Sequence, residues 1–134
     1  MDKKQLDELI QLTESHVECW KQFNGFLALA RAKKSTPEDE EQFLELKSVL
    51  TQELELIMSA VECENPSREE VHQLIGSVPS IRFLAELPES SIRTVENQWH
   101  KIYIGWQSIL GQMKVKQREM DGRGGWSLFG GRKK

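Results

Sequence analysis

Residues 88–113 read PESSIRTVENQWHKIYIGWQSILGQM. Within them Ile92, Val95, Trp99, Ile102, Trp106, Ile109 and Met113 alternate steps of three and four without a break. That spacing keeps one side chain per turn on a single face, as in the seam of a coiled coil. Tyr103 and Leu110 flank the seam, and Pro88 stands where a helix starts without needing its N–H. Gly105 and Gly111 are unusual inside such a run, since each costs about 1 kcal/mol relative to Ala in a helix. They mark either a close helix approach or, at Gly111, a weak last stretch.

Upstream, the same period recurs twice. Leu6, Leu9, Ile10, Thr13, Val17, Trp20, Phe23, Leu27 and Ala30 give one buried face over Asp2–Lys33. Phe43, Leu46, Leu50, Leu54, Ile57 and Val61 give another, predicted to stop near Asn65 and Pro66. The second helix has the clearest start in the chain: Thr36 as N-cap, Pro37 at the first helical position, and Glu38, Asp39, Glu40 and Glu41 against the positive end of the helix dipole. Ser67 and Glu70 form a capping box that opens a short helix to Gly76, and Ser80–Leu87 is a second short helical piece. With no strand pattern and no repeat of 20–50 residues, the expected fold is all-α: an elongated antiparallel bundle of three long helices with a short helical end cap. Alternating directions put the last helix parallel to the first. Its C-terminal Lys114, Lys116 and Arg118 then lie beside the Glu38–Glu41 cluster.

Met120 divides residues 1–120, the bundle domain, from residues 121–134. This second part holds five glycines in fourteen residues and is expected to be a flexible tail. Between its glycines lies one apolar group, Trp126, Leu128 and Phe129, followed by Arg132, Lys133 and Lys134.

The chain of 134 residues is long enough to bury a core without disulfides or metal. The segment after Met1 has no apolar run typical of a secretory signal, and none approaches the roughly 20 residues of a membrane span. Cys19 and Cys63 are separated by about 18 Å if the first two helices fold back near residue 35, too far for a disulfide. Two free thiols and a cytoplasmic location are therefore expected. The net charge of −3 hides a division. Residues 38–64 hold nine acids and one base, Lys47, whereas residues 114–134 hold seven bases and two acids.

No catalytic constellation emerges, so the expectation is no enzyme, no cofactor and no metal. Glu69 and His72 have the i, i+3 spacing of one half of a di-iron site, but a bundle needs two such motifs and two further glutamates. A metal-dependent enzyme using that pair is the second reading. His16 and Cys19 are neighbours on one helix without the positive surroundings that activate a thiol. Neither phosphate-loop glycine pattern occurs.

What remains is a protein-binding module, an adaptor, chaperone or assembly subunit, with the tail as docking element and Trp126, Leu128, Phe129, Arg132, Lys133 and Lys134 as its contact residues. Trp99, Trp106 and Tyr103 are core anchors if the seam closes within one chain, or interface anchors if it closes between copies; a homo-oligomer is one expected form. Nucleic acid and membrane are unfavoured partners, because residues 1–113 carry eleven bases against nineteen acids. A weak contact of the basic tail with either is the third reading. The long helices with a glycine-containing extension resemble small secretion chaperones, flagellar ones included, in outline. The segment GGWSLFGG resembles the short apolar peptides that load cargo into protein shells. Neither likeness carries a specific motif, and no family is assigned.

Overall fold

The computed structural model describes residues 1–125, with side chains as far as Gly122. The fold is all-α: α1 (Lys3–Ala32), α2 (Pro37–Ala60), α3 (Arg68–Ser77), α4 (Ile81–Ala85) and α5 (Glu89–Gly125), with no strand among the described residues. Local chemistry sets the boundaries. Asp2 caps α1 through a reciprocal box with Gln5, and Lys33 ends that helix in the left-handed region, at φ 56°. Thr36 pairs reciprocally with Asp39 ahead of Pro37, and Ser67 with Glu70. Ser80 accepts from the Phe83 N–H to start α4. Pro88 stands one residue outside α5, where its carbonyl accepts the first helical bond, from Ile92. Two ends differ from expectation. α2 stops at Ala60 because Val61 turns extended, and α5 runs five residues past Met120. The latter holds three glycines in its five residues, each unfavourable in a helix interior. The Lys3–Asp121 ion pair also lies in this extension.

The expected direction of α5 is overturned. α5 runs antiparallel to α1, not parallel. Arg31, at the end of α1, pairs with Glu89 and Glu96 at the start of α5, while Glu14, Asp7 and Lys3 meet Lys114, Gln117 and Asp121 in that order. The reason is α3. Arg68 and His72 stand opposite Glu55 of α2, and ten residues later the Val78 and Pro79 carbonyls accept from Lys47. α3 therefore climbs back along α2 and returns the chain to the end where α2 began. There both oxygens of Glu40 accept from the Ile81 and Arg82 N–H groups and hold α4 as a lid. Glu40 is thus a structural ligand, not a solvated acid. Lys114, Lys116 and Arg118 leave at the opposite end from Glu38–Glu41.

The core follows the three stripes. Trp20, Phe23, Leu27, Phe43, Leu50, Leu54 and Ile57 are fully buried, joined by Val71, Leu74, Ile81 and Leu84 from the short helices. On α5 the seam drifts: Leu110 is buried and Ile109 only partly so. A helix of 3.6 residues per turn rotates about 20° per heptad against a 3.5-residue repeat, which brings the next residue inward. Gly105 is a point of close approach. A methyl group there would lie 2.7 Å from Pro66 Cδ, whereas nothing lies within 4 Å of one at Gly111.

Candidate functional site

The aromatic anchors separate. Trp106 is fully buried and belongs to the core. Trp99 is half-buried: its indole donates to the Trp20 carbonyl at 2.7 Å, and Tyr103 stacks on it at 5.0 Å between ring centres and 14° between planes. Trp99→Phe removes that donor and trims the ring on which Tyr103 stacks. It is expected to lower stability by at least about 1 kcal/mol, read as a shifted urea midpoint at unchanged slope. Trp126, Leu128, Phe129, Arg132, Lys133 and Lys134 lie outside the described residues.

Glu69 and His72 are on the solvent face of α3, with His72 turned toward Glu55 at 3.5 Å. Among the described residues no group of three or more His, Cys, Asp or Glu side chains could hold a metal ion.

The polar chemistry of the interior lies elsewhere, across a pairing separated by 37 residues in sequence. His16 is 0% exposed. Its Nδ1 stands 3.1 Å from Glu53 Oε1, and its Nε2 accepts from the Trp20 indole at 3.1 Å. With Nε2 accepting, the proton belongs on Nδ1, which donates to the carboxylate. Ser15 donates to the other Glu53 oxygen at 2.8 Å. Burial works to raise the Glu53 carboxyl, but hydrogen bonds from His16, Ser15 and Cys19 hold it below the usual carboxylate range. Cys19 goes the other way: burial, then the Glu53 charge, push its thiol up to about 11. A thiol held protonated is a poor nucleophile, and both imidazole nitrogens are already engaged. The cluster fixes α1 against α2.

An open apolar surface lies at the opposite end from α4. Above Pro66, α3 bridges α2 and α5, with Glu70 on Lys101 and Arg68 on Glu55. Below Pro66, among the described residues, only the segment 61–65 crosses between them. A cleft of about 240 Å³ remains, walled by Leu6 and Leu9 of α1, Val61 and Cys63 of the crossing, and Ile109 and Met113 of α5. Met1, Glu62, Gln112 and Lys116 form its rim. Met1 and Leu9 also line an adjoining groove of about 500 Å³ between α1 and α2, with Leu12, Ala60 and Leu56, the last 58% exposed.

No family model, curated protein or solved structure matches the chain.

Inherited residue roles are therefore absent, and the cleft stands on geometry. Its walls come from positions 6–9, 61–63 and 109–113, three segments joined only by the fold. The sequence signal for it was weak: Ile109 reads as seam and Val61 as the last turn of α2. The signal that could have found it is length. α2 is shorter than α1 and α5, so one end of the bundle lacks a full neighbour.

Proposed function

We propose that this chain is a non-enzymatic protein-binding module whose working surface is the open-end cleft and its adjoining groove. The observation that carries the reading is an apolar, solvent-open concavity walled by Leu6, Leu9, Val61, Ile109 and Met113 and continued over Leu12 and Leu56. Such a surface suits the few apolar anchors that dominate binding between proteins. The closed His16–Glu53 network and the protonated Cys19 favour a binding role over catalysis. The two free thiols fit a reducing compartment, and on them we read the protein as cytoplasmic; no helix among the described residues is long and apolar enough to cross a membrane.

The test is a quantitative pull-down from native cell extract with four full-length baits: wild type, Val61→Glu, Leu56→Glu, and Phe83→Glu at the far end. All three substituted positions are at least partly exposed, so the variants are expected to melt within a few degrees of wild type. The cleft variants are expected to lose at least about tenfold of the retained partner, equivalent to about 1.4 kcal/mol, while Phe83→Glu keeps it. Equal retention by all four baits would remove the cleft as the working surface.

A further inference from the structure

We infer that the cleft has a resident competitor, the Trp126–Phe129 segment of this same chain. This rests on the cleft being a binding surface and adds how its occupancy is controlled. α5 delivers its end to the right place: Ile109, Gln112, Met113 and Lys116 line the cleft, and Asp121 is tied to Lys3 beside it. Nine residues follow Gly125. Lys116 lies nine residues before Gly125, about 14 Å along the axis at 1.5 Å per residue. An extended chain gains about 3.3 Å per residue, so Phe129 reaches the rim on a reversal at Gly124–Gly125. All three apolar side chains reach it when the last turn, with glycines at 122, 124 and 125, unwinds. That turn is the part of α5 with the poorest helix propensity.

Charge agrees with the same seat. Glu62 and Glu8 lie on the two rims, Glu64 is exposed on the crossing, and none of the three has an ion-pair partner among the described residues. Arg132, Lys133 and Lys134 follow the apolar group closely enough to meet them. Tethering then decides the competition. A segment on a short flexible linker acts at a millimolar effective concentration, above most free partners. An external protein displaces it only by binding more tightly, and the cleft stays covered in its absence.

The experiment uses full-length protein throughout. A synthetic peptide of residues 124–134 is titrated into wild type and into a Trp126→Ser/Leu128→Ser/Phe129→Ser variant, which leaves every described residue intact. The variant is expected to bind the peptide, with amide exchange slowed at residues 6–9 and 61–63. Wild type is expected to bind it at least about tenfold more weakly, because its own tail is in place. Binding to neither protein overturns the inference, as does equal binding to both. Wild type that is dimeric by light scattering beside a monomeric variant also overturns it, since the tail would then sit in a second copy. Any of these failures leaves the proposed function to its own test: Val61→Glu and Leu56→Glu still decide whether the cleft takes a partner.

Discussion

Glu53→Ala lowers the free energy of unfolding by about 3 kcal/mol at neutral pH, the cost expected when a buried donor loses a charged acceptor. The substitution strands the Nδ1–H of a histidine that is 0% exposed and frees Ser15 on the same helix. Glu53→Gln keeps an acceptor and loses the charge, so it costs about half as much. Acid separates the variants further. The folded pKa of Glu53 lies below its unfolded value, so on acidification the unfolded chain takes up this proton first. The contribution is complete above the ordinary glutamate range and disappears as pH falls through the lower, folded value. Urea midpoints measured from neutrality downward are expected to fall more steeply for wild type than for Glu53→Gln, with the two curves converging at low pH. Parallel curves would mean that Glu53 is not the carboxylate held by His16.

Gly105→Leu lowers stability by about 3 kcal/mol or more, and even Gly105→Ala lowers it, against the usual sign. An alanine inside a helix normally gains about 1 kcal/mol over glycine. Here its methyl would stand 2.7 Å from Pro66 Cδ, 3.0 Å from Pro66 N and 3.2 Å from the Asn65 carbonyl carbon. None of these is the yielding end of a long side chain. Relief requires the whole crossing to move off α5, and overpacking of this kind costs about 1–3 kcal/mol. Gly111→Ala is the internal control. It meets no atom within 4 Å and is expected to raise stability by about 1 kcal/mol. Thermal melts of the alanine pair, shifting in opposite directions, check the close contact between α5 and the crossing. Equal shifts would deny it.

Much of the helical anatomy is local chemistry and could be read from the chain. Thr36 with Pro37, and Ser67 with Glu70, mark helix starts because each satisfies backbone donors within four residues. The buried stripes are equally local, since periodicity depends only on the helix itself. The course of α5 was not legible for the same reason. An amphipathic stripe looks alike whether its helix runs up or down, and nothing in residues 67–77 announces that α3 lies along α2 rather than across its end. That information is in distant partners: Arg68 with Glu55, Lys47 with Val78, Arg31 with Glu96. His16 shows the limit at a single residue. Near Cys19 it resembles half of a nucleophile pair, and only Glu53, on another helix, turns it into a structural tie. The cleft was hidden as well. Its apolar walls are ordinary core positions in sequence, and its openness comes from where α3 begins, at Arg68, beyond the crossing at 61–65.

The reversed course of α5 gives the molecule a polarity. Met1 is on the rim of the cleft, and the Lys3–Asp121 bridge brings the last turns of α5 to the same place. Whatever is joined ahead of Met1 therefore begins beside the apolar opening, at the pole where α5 ends. The turn at Lys33–Thr36 and the α4 lid occupy the far pole. A neighbouring domain, a surface anchor or an affinity handle ahead of Met1 would act as a collar at the opening, and would govern access to it through bulk alone.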